Sequence, residues 1–82
     1  MKHRIKIIQI GISHEHAPGK MIALRRLPDY YDIAGLVDDS KYFSIGKFMN
    51  WKPELGDGIA RLTLDDALNY PGLEAVTVEV PN

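Results

Sequence analysis

The chain has 82 residues, which bounds it to one small domain; at that size folding hides about 60% of the surface the unfolded chain exposes, too little to build a deep cleft between two domains. Hydrophobic content of 45% against 26% charged residues marks a globular chain, and a net charge of −1 gives no electrostatic reason to expect nucleic acid or an anionic membrane as partner. The absence of cysteine excludes disulfides and thiolate metal sites and suits a reducing compartment.

In chain order, "MKHRIK" followed by "IIQIGI" has the charged start of a signal peptide but too short an apolar run and no small-residue cleavage site, so the expected location is the cytoplasm. Ile5 to Ile12 is nearly continuous in apolar character, as a strand covered on both faces must be. From Pro18 to Leu27, Met21, Leu24 and Leu27 recur at helical spacing, with Lys20, Arg25 and Arg26 on the other side and Pro28 as the stop. Pro18 suits the first turn, where its missing N–H costs nothing. Tyr30 to Val37 is predicted as a second strand ending at Asp38-Asp39. Ser40 is the predicted N-cap of a short helix carrying Phe43, Phe48 and Trp51, followed by "KPELGDG" as a loop and a brief third strand around Ile59 to Leu62. Thr63 with Asp66 three residues later forms a variant capping box, Pro71-Gly72 ends that helix, and Leu73 to Val80 is the fourth strand. This alternation predicts an α/β fold: a partial Rossmann-like parallel sheet of strand order 3-2-1-4, occupying residues 1–82 as a single partial domain.

The segment "GISHEH" then falls between the first strand and first helix, at the carboxyl end of the sheet, where anions meet exposed backbone N–H groups and a helix N-terminus. Against the dinucleotide pattern G-x-G-x-x-G, the three glycine positions hold Gly11, Ser13 and His16. Gly11 keeps the tight turn, Ser13 adds a hydroxyl, and His16 is bulky where close approach is wanted. Asp38 ends the second strand about 20 residues further on, the place of a ribose-binding carboxylate. Asp39 beside it is expected to repel a 2′-phosphate, favouring NAD over NADP.

The stretch "RIKIIQIGISHEHAPGKMIALRRLPDYYDIAGLVDDS" and the ending "PGLEAVTVEVPN" resemble the amino-terminal Rossmann domain of the glucose-fructose oxidoreductase / inositol dehydrogenase / MocA family of NAD(P)-dependent oxidoreductases. The likeness lies in the order of strand, glycine turn, helix, "LP", acid-terminated second strand and a last strand ending in a Pro-Asn turn. It implies that Gly11, Ser13, His14 and Glu15 line a pyrophosphate turn, Asp38 meets the adenosine ribose, and Pro81-Asn82 lie toward the nicotinamide. Ser13, His16, Glu79 and Val80 depart from the family pattern. The family's catalytic lysine segment, later histidine and substrate domain belong beyond Asn82, so the resemblance implies a truncated cofactor-binding portion without catalytic residues of its own.

Other readings of the same residues are weaker. His14 and His16 with Glu15 offer too few ligands for a closed metal site. Gly19-Lys20 lacks both the first glycine and the hydroxyl of a P-loop, and Asp65 with Asp66 sit where a helix dipole favours carboxylates in any case. Tyr30, Tyr31, Tyr42, Phe43, Phe48 and Trp51 read mainly as packing. Glu79 reads either as an exposed strand-end residue or as one facing the cofactor crevice. Two functions follow: the NAD-binding portion of a sugar or polyol oxidoreductase, or a degenerate Rossmann-like module that binds a protein partner or itself without cofactor. The fourth strand, apolar at Ala75, Val76, Val78 and Val80, is an expected edge and hence an expected site of homo-oligomer contact.

Overall fold

The isoleucine-rich start forms strand β1, Ile5–Ile10, because β-branched side chains fill both faces of a pleated chain better than they fill a helix. The computed structural model describes residues 3–39 and 51–80. Helix α1, Ala17–Arg25, follows, with Pro18 in its first turn and Met21 and Leu24 buried. It ends at Arg26, so Leu27, expected on the inner stripe, lies past the helix and is 43% exposed. Strand β2 is Tyr31–Val37, β3 is Arg61–Leu62, helix α2 is Leu64–Leu68 and β4 is Ala75–Val78. The segment read as a plain loop contains a 3-10 turn, Pro53–Gly56, opened by its proline. The helix expected from Ser40 lies outside the described residues up to Asn50.

The four strands are parallel and ordered β3-β2-β1-β4, the α/β arrangement and order that the sequence predicts. The ladders are shorter than the apolar runs: β1 stops before Gly11 and β4 spans only its four central residues. Between Ile7 and Ile8 the β1–β2 register shifts, pairing Ile7 with Ile33 but Ile8 with Gly35.

Pairing sorts the side chains into two layers. Ile8 and Ile10 stand beside Gly35 and Val37 on one neighbour and Val76 and Val78 on the other, and Ala67 of α2 packs on this face. On the opposite face Leu36 and Ile12 meet Met21 of α1, with Ile33, Trp51, Leu55 and Ile59 around them. The sheet is therefore sandwiched between α1 and α2. Ile8, Met21 and Leu36 are fully buried, and each such side chain contributes about 1.5–3 kcal/mol relative to exposure. Tyr31 and Trp51 are half-buried and Tyr30 is largely exposed; Tyr42, Phe43 and Phe48 lie outside the described residues. Thr63 caps α2 as expected, its hydroxyl accepting from the Asp66 N–H at 3.1 Å.

Where β1 and β4 begin, Glu74 clamps them. Its backbone N–H donates to the Lys6 carbonyl at 3.0 Å, its side chain accepts from the Lys6 N–H at 3.1 Å, and its other oxygen lies 2.6 Å from His3 Nε2. The His3 hydrogen bond first, and the Lys6 N–H second, hold the Glu74 carboxyl below the ordinary glutamate range. A depressed carboxylate stabilises the fold above its unfolded pKa, and this contribution is lost as pH falls through the lower folded value. The expected result is that a Glu74→Gln variant loses less stability than the parent between about pH 6 and about pH 3, measured by urea unfolding at each pH. Parallel losses in the two proteins would show that the clamp does not couple to folding.

Candidate functional site

In the order β3-β2-β1-β4, successive connections run one way from β1 and then return to its other side, so strand order reverses between β1 and β4. The carboxyl ends of those strands flank the crevice where open α/β sheets place ligands. The turn from Gly11 to His16 sits at this reversal. Gly11 has φ +110°, and a Cβ built there collides with the Glu79 carbonyl oxygen and approaches Val80 Cγ1 to 2.9 Å. Glycine is required both for the dihedral and for the closeness of the two chains.

The turn is held from three sides. The Gly11 N–H continues the β1–β2 pairing onto the Val37 carbonyl at 2.9 Å. Gln9, fully buried beneath α1, donates from Nε2 to the Gly11 carbonyl at 3.1 Å and the Ala17 carbonyl at 3.2 Å, tying the turn to the helix. Its amide must be oriented this way, since both neighbours are acceptors. From β2's end, Asp39 Oδ1 accepts from the Ile12 N–H at 2.8 Å, the Ser13 N–H at 3.1 Å and the Ser13 hydroxyl at 2.8 Å. One carboxylate oxygen collects three donors.

The structure thus corrects the expected role of Asp39. Its side chain is turned under the turn and the residue is only 3% exposed, so it does not present a second outward charge against a 2′-phosphate. Asp38 is half-buried and pairs with Arg61 of β3 at 2.8 Å. A guanidinium at that distance offsets the Asp38 charge, which further weakens the electrostatic case against a 2′-phosphate.

His14 and His16 pack edge to face with ring centroids 4.8 Å apart, and the His16 N–H donates to His14 Nδ1 at 3.0 Å. His14 Nδ1 is therefore an acceptor, and the ring serves as a local cap ahead of α1. His16 is exposed and precedes α1 as its N-cap residue, with Glu15 Oε1 3.6 Å from its Nε2. No group of three or more His, Asp or Glu residues is placed to hold a metal among the described residues. Glu79 is half-buried; its N–H donates to the Ile10 carbonyl at 2.7 Å and its carboxylate accepts from the Thr77 hydroxyl at 3.2 Å. It closes the β1–β4 end of the crevice. Asn82 lies outside the described residues.

Gly11, Ser13, His14, Glu15 and Asp38 are brought to one end of the sheet, at the ends of β1 and β2. Three contributors escape a reading by motif: Gln9, Asp39 as an inward acceptor, and Arg61. The lone amide in an isoleucine strand is the one signal that marks Gln9 beforehand. The chain matches no protein-family model, and neither characterised proteins nor solved structures give a significant match.

Proposed function

We propose that this chain is the nucleotide-binding portion of an NAD-dependent oxidoreductase acting on sugars or polyols, located in the cytoplasm, and that catalysis requires residues beyond these 82. The observation that carries the reading is the Gly11 turn: an obligatory glycine at the carboxyl end of β1, beside the reversal of strand order, with Asp38 at the end of the adjacent strand. His14 and Glu15 follow in the turn ahead of α1, where backbone N–H groups and the helix N-terminus favour a diphosphate. Asp38 supplies the acceptor for a ribose diol, in exchange with its Arg61 partner. Among the described residues no helix is long and apolar enough to cross a membrane.

The expected affinity is low, with Kd no tighter than about tens of micromolar, because Ser13 and His16 replace glycines and the contacts are partial. Calorimetry with NAD, NADH and NADPH checks this. NADH binding that exceeds NADPH binding and disappears in Asp38→Ala supports the reading; equal affinity for the two removes Asp38 from the ribose.

A second reading, a module that self-associates without cofactor, is favoured by one observation. On edge strand β4, Val76 and Val78 are 42% and 56% exposed, although they share a sheet face with the buried Ile8 and Ile10. An apolar edge of this kind is a template for strand pairing. A homodimer joined through β4 is the expected result by light scattering, and Val78→Lys is expected to return it to monomer. A parent chain that stays monomeric at high concentration excludes this reading.

A further inference from the structure

The three donors on Asp39 Oδ1 form the arrangement that an oxyanion of a ligand makes with a glycine turn: two successive backbone N–H groups and a hydroxyl converging on one oxygen. The donors do not depend on Asp39 for their position. Gly11 is fixed by its bond to Val37 and its contact with Glu79, and Gln9 ties the turn to α1 from below. The carboxylate itself is poorly served. Asp39 Oδ2 is buried and has no hydrogen-bond partner, so the residue brings one satisfied and one unsatisfied oxygen into the interior. Such a group is held at a cost, since a buried charge needs partners for both oxygens to recover its hydration.

We propose that the β1–α1 turn is a preorganised oxyanion seat that the chain fills with its own Asp39 carboxylate, so that a phosphate-bearing ligand reaches the Ile12 and Ser13 donors only in competition with that side chain. This deepens the nucleotide-binding reading and rests on it for its biological meaning. It also supplies a cause of weak binding separate from His16: the seat is present but occupied, and a ligand phosphate gains only the difference between its own bonds and those of the carboxylate. Removing the carboxylate uncovers the seat.

The test is an amide NMR titration of inorganic pyrophosphate into the parent chain, Asp39→Ala and Asp39→Asn. The Ile12 and Ser13 amides are expected to shift in the alanine variant with an apparent Kd at least about tenfold tighter than in the parent, the difference that hydrogen bonds to a charged acceptor provide. The asparagine variant, whose amide oxygen still fills the donors, is expected to bind more weakly than the alanine variant. Equal titrations in parent and alanine variant, or a folded alanine variant whose Ile12 and Ser13 amides stay unmoved, overturn the proposal. Should the alanine variant lose its folded spectrum, the parent decides. At millimolar pyrophosphate the Asp39 carboxyl carbon must move together with the two amides; amides moving alone, or none moving, overturns displacement. A parallel NAD titration separates the two ideas. Pyrophosphate entering the alanine variant while NAD perturbs neither form keeps the seat and rejects the cofactor reading; NAD shifting His14, Glu15 and Asp38 while pyrophosphate ignores Ile12 and Ser13 does the reverse.

Discussion

A Gly11→Ala substitution is expected to lower stability by about 3–5 kcal/mol, the largest loss from any single methyl group added at the described glycines. Two costs add at this residue. The φ of +110° is reached easily only by glycine, and the new Cβ meets backbone at Glu79, whose carbonyl carbon is 2.7 Å away. Backbone cannot rotate aside as a side chain can. To relieve the collision β1 and β4 must separate where the Ile10 carbonyl accepts the Glu79 N–H. At about 0.05–0.15 kcal/mol per residue, a chain of this length has total stability of about 4–12 kcal/mol, so the variant should be partly unfolded at room temperature. Two other glycines separate the causes. Gly58 also has positive φ, +77°, but open space around it, so Gly58→Ala carries the dihedral cost alone, about 1–2 kcal/mol. Gly19 lies in α1 with ordinary φ and nothing within 4 Å, so Gly19→Ala is expected to stabilise by about 0.5–1 kcal/mol. Urea unfolding of the three variants gives the order; a Gly11→Ala loss no greater than that of Gly58→Ala would remove the steric argument.

The same residues show what was legible beforehand. Strand order and the position of the glycine turn follow from period and punctuation: an isoleucine run closed by Gly11, Met21 and Leu24 at helical spacing, Thr63 three residues before Asp66. These are local signals, and local chemistry produces them. The contacts that give the site its character join positions far apart, Ile12 and Ser13 with Asp39, and Asp38 with Arg61. In "LVDDS" the two acids are equivalent as letters. They become different because one residue step at the end of β2 sends one side chain toward β3 and the other beneath the β1–α1 turn. Leu27 fails as a core residue for a related reason: helical spacing continues in the sequence past Arg25, where the helix itself stops.

Truncating Asp39 is expected to be the second most costly change at the site, and the alanine and asparagine variants together tell which property of the side chain the turn uses. With alanine, the buried Ile12 N–H and the Ser13 N–H lose their acceptor, and each orphaned donor costs about 1–3 kcal/mol. Against that, removing the carboxylate relieves the desolvation of an ion whose Oδ2 has no partner, a penalty of several kcal/mol in a buried site. The gross terms are comparable, and their difference is expected to leave a net loss of about 2–3 kcal/mol. Asparagine keeps an oxygen on the donors without charge. Its bonds are about half as strong, but the cost of burying it is much smaller, so the expected loss is about 1 kcal/mol. If the asparagine variant is the less stable of the two, its amide N–H groups, buried where Oδ2 now lies without partner, outweigh the retained acceptor. If alanine matches the parent, the burial of Asp39 cancels its three bonds. In that case Gly11 and Gln9 alone hold the turn in shape, and the carboxylate's place there is explained by occupancy of the oxyanion seat and not by stability.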